Sequence, residues 1–316
     1  MSEEDALCEL LRFLKAAHYR FIAVTPATHA VVAARQPPSQ LSLRDVFGWN
    51  RPFDANDIPA TLLDVLGAAR ALENHEGKFR SKLRVATLGN DLLLHSAFPT
   101  DDVNSVFFGP DTYRFVRFVE QQLPCIDRAE WLVDMGAGSG AGAIAASRTR
   151  VFKRTTMVDV NVEALRLGRV NAAAADVSAE RVASDALPVG ADVIIANPPY
   201  MMDRSRRAYR DGGGLLGGAL ALDWVVQALR SLAPGGTMLL YTGAAYVDGE
   251  APLLREIANA CSKAAASLEF SEIDADVFGN ELSGPGYEQV ERIAAIGAVI
   301  TVGSVDRQQR PSHSWD

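Results

Sequence analysis

The segment that most constrains this chain is 131–142, WLVDMGAGSGAG. Its apolar start is typical of a buried strand, and Asp134 precedes glycines at Gly136, Gly138 and Gly140. A strand that passes through a glycine-rich turn into a helix lets the backbone approach a ligand closely, and N–H groups at the helix start can face it. The segment therefore predicts a cradle for a nucleoside cofactor, without saying which one.

A second constraint is the tetrapeptide Asn197-Pro198-Pro199-Tyr200, which ends another apolar run at 192–196. From 131 onward apolar runs alternate with helical patterns, which predicts a mostly parallel α/β sheet. The predicted strands are 131–134, 155–158, 181–183, 192–196, 237–241, 268–273 and 293–302, and the helices between them are 141–147, 162–174 and 221–232. A further helix is predicted over 113–122, ahead of the first strand. If the first and fourth strands are neighbours, the tetrapeptide lies beside the glycine turn, because parallel strands end at one edge.

The first part of the chain is predicted to be helical. Apolar spacing and proline or cap signals predict helices over 3–19, 25–35, 42–47 and 57–71. Two β-prone runs, 83–88 and 92–96, flank Gly89-Asn90-Asp91 and predict a hairpin. We expect a helical accessory unit over 1–80, a β-hairpin connector over 81–104, the α/β domain over 105–304 and a flexible tail over 305–316. The helical unit is either a substrate-recognition element or a packing lid.

Charge and composition exclude several classes of protein. The 316 residues carry 39 acidic and 31 basic side chains, a net charge of -8, which argues against tight non-specific binding to nucleic acid. Three separated cysteines and five histidines form no disulfide framework and no metal-ligand spacing, so we expect no metal. The acidic N-terminal segment is unlike a signal peptide and no apolar run is long enough to span a bilayer. We therefore expect a cytoplasmic protein without a membrane partner.

Several functions remain open at this point. Asp159 follows the second strand about 20 residues after the turn, where a carboxylate can accept the ribose hydroxyls of either a nicotinamide or another adenosine cofactor. It could instead cap the helix that begins at Val162. The run from Gly138 to Ala143 also fits the dinucleotide pattern, so an oxidoreductase and a non-catalytic cofactor-binding module are alternatives. A P-loop and a nucleophile elbow are absent from the sequence.

The glycine turn followed by Asn-Pro-Pro-Tyr resembles the class I S-adenosylmethionine-dependent methyltransferases that methylate amino groups. This group includes protein-glutamine methyltransferases of the HemK/PrmC type, ribosomal-RNA guanine methyltransferases with the methyltransferase small domain, and adenine DNA methyltransferases. The resemblance covers about 105–245 and implies a Rossmann-like, seven-stranded sheet that binds S-adenosyl-L-methionine and releases S-adenosyl-L-homocysteine. It implies cofactor contacts from the methionine end (Asp134, Gly136, Ala137, Gly138, Gly140), the ribose (Asp159, Val160), the adenine (Asp185, Ala186), the segment ahead of the first strand (Pro110, Thr112) and Asn197.

The tetrapeptide suits methyl transfer to a planar nitrogen. The Asn197 side-chain oxygen and the Pro198 carbonyl can each accept one N–H, which aims the nitrogen lone pair at the methyl group, and Tyr200 can stack on the acceptor. Nearby Pro199, Arg204, Arg207 and Tyr209 are candidate substrate contacts, although an arginine run is more often a solvated loop. A protein glutamine is the favoured acceptor; an RNA or DNA base and a small amide remain alternatives.

Overall fold

The computed structural model describes residues 1–97, 100, 102–203, 207 and 209–304, so the predicted tail 305–316 lies outside the described residues. The helices are α1 Glu3–Ala16, α2 Pro26–Ala33, α3 Leu43–Phe47, α4 Ala60–Ala68, α5 Pro110–Gln122, α6 Ala141–Thr149, α7 Val162–Ala174, α8 Ala219–Ser231 and α9 Pro252–Lys263. The strands are β1 Leu72–His75, β2 Lys78–Ser81, β3 Leu83–Leu88, β4 Asp91–Ser96, β5 Trp131–Met135, β6 Arg154–Asp159, β7 Glu180–Ala183, β8 Ala191–Ala196, β9 Leu232–Tyr246, β10 Ser267–Asp274 and β11 Arg292–Thr301.

The central sheet contains seven strands in the order β7-β6-β5-β8-β9-β11-β10. Strands β5 to β9 all run parallel to one another, whereas β11 runs antiparallel to both β9 and β10. This confirms the predicted Rossmann-like, mostly parallel sheet. The chain order reverses at β5, which has β6 on one side and β8 on the other. In open α/β sheets that reversal opens a crevice at the carboxyl ends of the strands.

The N-terminal helices share a hydrophobic core with the α/β domain. Leu10 and Leu66 from α1 and α4 belong to the same buried cluster as Leu167 and Val170 from α7. The β3–β4 hairpin contributes Val85 to it. The first 80 residues therefore do not bury a core of their own, and the helix that follows Asp159 is held from the outside by α1.

Two elements of the structure were not predicted. A hairpin of β1 and β2 turns at Glu76-Gly77 within the predicted helical unit, and its sequence, LENH and KFRS, lacks regular alternation of apolar residues. Helix α9 was also missed, although the spacing of Leu253, Ile257 and Cys261 on its buried face is helical. The β3–β4 hairpin is confirmed, with Gly89 at φ 59° in the turn. No helix in the described ranges has the length and apolar character of a membrane span.

The shared core predicts how the chain unfolds. Leu10 is fully buried, so we expect Leu10→Ala to lower the free energy of unfolding by about 2–5 kcal/mol through lost burial and a residual cavity. Because one cluster spans both parts of the chain, circular dichroism and tryptophan fluorescence should report a single transition in urea. Val151→Ala, at a side chain 91% exposed, is the control and should shift the midpoint little. Two separate transitions would show that the N-terminal helices have a hydrophobic core of their own.

Candidate active site

A cavity of about 730 Å³ opens at the carboxyl ends of β5 and β8. These strands are adjacent and parallel, with Met135 paired with Ala196. Gly136 and Asn197, the residues that follow, therefore leave neighbouring strands side by side. The assumption that the first and fourth strands end next to each other is confirmed, and the cavity lies at the chain reversal where an α/β fold binds ligands.

Most of the predicted site residues line this cavity. They are Pro110, Thr112, Asp134, Gly136, Ala137, Gly138, Asp159, Val160, Asp185, Asn197, Pro198, Pro199, Tyr200 and Tyr209. Three others, Gly140, Ala186 and Arg207, are not among the lining residues, and Arg204 lies outside the described residues. The structure thus brings the two motifs to one cavity and separates a few residues from it.

The glycine turn brings the backbone close to its surroundings, and four of its N–H groups are bonded within the protein. At Gly136, φ is 68° and an added Cβ would lie 2.5 Å from the ring of Trp224. At Gly140, φ is 76° and a Cβ would lie 3.1 Å from the sulfur of Met157, so this glycine serves helix packing and not the cavity wall. The N–H groups of Gly136, Ala137, Gly138 and Gly140 all donate to acceptors within the protein. These four N–H groups are therefore satisfied within the protein, and the expectation that N–H groups at the helix start face a ligand stays a prediction.

Asp159 joins the turn to the next strand end. One carboxylate oxygen accepts the Gly138 N–H at 2.9 Å and the other accepts the Asn161 N–H at 2.8 Å. The N-cap of α7 is Asn161, whose side chain accepts from Glu163, so the reading of Asp159 as the cap is wrong. Burial raises the pKa of Asp159, while these N–H donors act in the opposite direction. The exposed side chain of its neighbour Val160 adds an apolar surface to the cavity.

Asp134 is the most deeply buried acid of the site, at 2% exposure. Its carboxylate accepts the Ala143 N–H at 2.7 Å and so satisfies a free donor in the first turn of α6. An added Cβ at Gly142 would lie 2.9 Å from the same carboxylate, so glycine is required there. Burial, with a smaller contribution from the charge of Asp159, raises the pKa of Asp134 to about 7.

The tetrapeptide contains two groups without a partner among the described residues, and both of their residues line the cavity. Asn197 is partly exposed, and in the described part of the chain its side chain makes no hydrogen bond. The Pro198 carbonyl likewise accepts no hydrogen bond from any described residue. Tyr200 is different: it is buried, and its hydroxyl donates to Asp111. Its predicted stacking on a substrate stays a prediction.

The arginine loop is engaged with acidic side chains where it is described. Arg207 binds Asp203 through two nitrogens at 2.7 and 2.9 Å, and Arg210 binds Glu281 at 2.6 Å. Tyr209 donates to the Thr100 carbonyl at 2.7 Å and lies parallel to Phe107, with ring centroids 6.0 Å apart. These contacts argue against a phosphate clamp made from Arg207 and Arg210.

Two glycines after this loop, Gly212 and Gly217, lie where the chain packs closely against the tetrapeptide. A Cβ on Gly212 would lie 2.6 Å from the Pro199 carbonyl oxygen, and one on Gly217 would lie 2.3 Å from that of Tyr200. Both residues therefore support the backbone of the tetrapeptide. A side chain at either position would force this backbone to shift.

Sequence reasoning missed several walls of the cavity. Helix α2 contributes its start, Thr25 to Ala27, the segment ahead of α5 contributes Ser105 to Phe107, and the turn-rich segment before β11 contributes 276–281. Trp224 from α8 closes the floor beneath Gly136. These walls are formed by tertiary packing, which the local sequence does not indicate. Across the described residues no group of three His, Cys, Asp or Glu side chains is placed to hold a metal ion.

The raised pKa of Asp134 predicts a pH dependence of stability. An acid with a higher pKa in the folded state binds its proton more tightly there, so its contribution is present below its ordinary pKa of 3.8 and is lost as pH rises through about 7. Asp134→Asn keeps an acceptor for Ala143. As pH rises from 3.8 to about 7, we expect the free energy of unfolding of this variant to increase relative to that of wild type, and above pH 7 the difference should stay constant. Urea titrations across that pH range measure the difference, and Asp64→Asn at an exposed position is the control for lost charge. Parallel curves for wild type and Asp134→Asn would contradict the prediction.

Comparison with known proteins gives the same family for the α/β domain. The profile of the methyltransferase small domain matches residues 116–271. A release factor glutamine methyltransferase from Koribacter versatilis is 29% identical over 168 residues, 48% of this chain and 59% of that protein. One from Mycolicibacterium smegmatis is 32% identical over 143 residues, 40% of this chain and 50% of that protein. The ribosomal RNA large subunit methyltransferase G of Streptomyces avermitilis is 32% identical over 127 residues, 39% of this chain and 31% of that protein.

This chain therefore spans less than two thirds of the length of each of these relatives. Among solved structures, Trm5b from Pyrococcus abyssi overlaps 85% of this chain and 82% of its own, at 16% identity and a TM-score of 0.48. A TM-score this low supports no conclusion beyond the strand order described above. Residues 116–271 thus match the methyltransferase small domain, and this match together with the relatives indicates an S-adenosylmethionine-dependent methyltransferase.

Proposed function

We propose that this protein transfers the methyl group of S-adenosyl-L-methionine to a planar amide or aromatic amine nitrogen, with a protein glutamine as the preferred acceptor. The observation that carries the proposal is the pair of unpartnered acceptors, the Asn197 side chain and the Pro198 carbonyl, on the wall of a cavity beside the glycine turn. A primary amide has two N–H groups in one plane. Two acceptors on one rigid strand end match that pattern.

The cavity suits the proposed cofactor. Its volume of about 730 Å³ is within the usual range for nucleoside-sized ligands and leaves room for an acceptor side chain. Asp159 and the exposed Val160 lie at the end of β6, where a carboxylate can accept ribose hydroxyls and an apolar side chain can cover a base. Asp185 adds a carboxylate to the lining, which favours a cationic ligand.

The residues of the chain would act on the acceptor nitrogen by position and not by proton abstraction. The cofactor supplies a methyl group on a positively charged sulfur. Asn197 and Pro198 accept the two N–H groups, which draws the lone pair out of conjugation and directs it into the cavity. The prolines fix φ near -65° and carry no N–H, so the backbone of the strand end is restricted and offers no donor of its own to these acceptors. The proposal needs no general base with a shifted pKa.

The charges around the cavity favour a protein acceptor over nucleic acid. Asp185, Asp276 and Glu281 line the cavity, and Arg210 is paired with Glu281. A phosphate backbone would meet these carboxylates and would have to break existing ion pairs. The names of the relatives from Koribacter versatilis and Mycolicibacterium smegmatis, release factor glutamine methyltransferases, support the same acceptor.

An RNA base is the second candidate acceptor. It is favoured by the parallel rings of Phe107 and Tyr209 on the cavity wall, which form a surface on which a base can stack. The relative from Streptomyces avermitilis is named for ribosomal RNA. Incubation with tritiated cofactor and separate protein, RNA and small-molecule fractions of a cell extract decides between the acceptors. Label in the RNA fraction alone would replace the glutamine proposal.

Asn197→Ala tests the mechanism. Loss of one preorganised acceptor should reduce kcat by roughly 100- to 1000-fold, because the interaction is needed at the transition state. Binding of S-adenosylhomocysteine, measured by calorimetry, should change little. The matched control is Asn259→Ala, which makes the same substitution on the exposed face of α9. A wild-type value of kcat in Asn197→Ala would rule out this mechanism.

Asp159→Ala should have the opposite pattern. The lost carboxylate should weaken S-adenosylhomocysteine binding by about 1.5–3 kcal/mol through missing charge-assisted hydrogen bonds. At saturating cofactor kcat should stay within a few-fold of wild type. Asp159→Asn keeps one acceptor for the Gly138 N–H and separates the effect of charge from loosening of the turn. Unchanged affinity in both variants would exclude Asp159 from the cofactor site.

A further inference from the structure

A buried hydrogen-bonded cluster lies behind the tetrapeptide. Its centre is Asp111, in the first turn of α5 and only 6% exposed. One carboxylate oxygen of Asp111 accepts the hydroxyl of Tyr200, and the other accepts the hydroxyl of Tyr241 at 3.0 Å. Asp111 thereby connects the start of α5 to the tetrapeptide and to β9.

The carboxylate at the centre is itself held in place. Arg114, one turn further along α5, reaches Asp111 at 3.3 Å and Asp274 at 2.8 Å. Burial raises the pKa of Asp111, and burial together with Asp111 raises that of Tyr200 well above its ordinary value. The Tyr200 hydroxyl therefore keeps its proton and remains the donor of this bond.

The ring of Tyr200 is confined as closely as its hydroxyl. A Cβ on Gly243 of β9 would lie 2.2 Å from the ring, so the absence of a side chain there makes the space that Tyr200 fills. Phe278 lies edge-on to the ring, with centroids 5.9 Å apart. At 7% exposure Tyr200 has little ring surface free for a substrate, and its contacts fix the backbone next to Pro198.

We propose that Asp111 is a positioning residue, which fixes the Asn197 and Pro198 acceptors by holding the hydroxyl of Tyr200. The proposal rests on the proposed methyl transfer. Pro199 is the only residue between Pro198 and Tyr200, and its φ is fixed by the ring. A shift of Tyr200 therefore moves the Pro198 carbonyl. Displacements of about 1 Å at a reacting group can cost on the order of 100-fold in rate.

Tyr200→Phe is the direct test, because it removes the hydroxyl and keeps the ring. We expect kcat to fall about 10- to 100-fold, with affinity for S-adenosylhomocysteine within about 3-fold of wild type. The matched control is Tyr246→Phe at the end of β9. It also removes a hydrogen bond from a tyrosine hydroxyl to a carboxylate, in this case the 2.6 Å bond to Glu272. Wild-type kcat in Tyr200→Phe would overturn the proposal.

A double-mutant cycle tests whether Asp111 acts through Tyr200. Asp111→Asn and Tyr200→Phe should each lower kcat, and the double variant should lose about the same factor as the worse single variant. If the two losses multiply, Asp111 does not act through Tyr200 and the proposal is wrong.

Amide hydrogen exchange gives a readout that does not need activity. The amides of Tyr200, Met201 and Met202 should exchange faster in Tyr200→Phe and in Asp111→Asn, and at the wild-type rate in Tyr246→Phe. If wild type transfers no methyl group to any fraction, the proposed function fails while this comparison still decides the positioning role. Unchanged exchange in both cluster variants would overturn the positioning role.

Discussion

The parallel pairing of β5 with β8 is the contact on which the site depends. Pairing of Met135 with Ala196 puts two strand ends in one plane, so the turn at Gly136 and the acceptor Asn197 face one cavity. A slip by one residue would turn the side chains of β8 to the other face of the sheet. Burial of β8 and of all of β5 except Trp131 makes such a slip costly, because the buried apolar side chains would exchange their environments.

The N-terminal helices matter to the site through two different surfaces. Their inner face packs on α7, the helix that leaves Asp159, and so stabilises the strand end that would hold a ribose. The start of α2, Thr25 to Ala27, forms part of the cavity wall. The alternatives of a recognition unit and a packing lid are therefore not exclusive, since one face supports the sheet and another faces the cavity.

Local sequence predicted the elements whose signals are local. The apolar run before Asn197, the glycine turn and the Gly89-Asn90 hairpin each carry their own pattern, and all were found. Asp111 was missed although its neighbours Pro110 and Thr112 were chosen, because its partners Tyr200 and Tyr241 are distant in sequence. The glycine turn alone also left a nicotinamide enzyme open. The family match decided that question, which no spacing within the turn could do.

The polar groups of the cavity fall into two kinds, and the difference indicates their roles. Asp111, Asp134 and Asp159 accept hydrogen bonds from the protein, so their geometry is fixed before any ligand arrives. Asn197 and the Pro198 carbonyl have no such partners among the described residues. An unpartnered acceptor beside a rigid proline costs little while water can reach it, and a great deal once a ligand excludes that water. A ligand that carries N–H groups would relieve this cost by donating to Asn197 and to the Pro198 carbonyl.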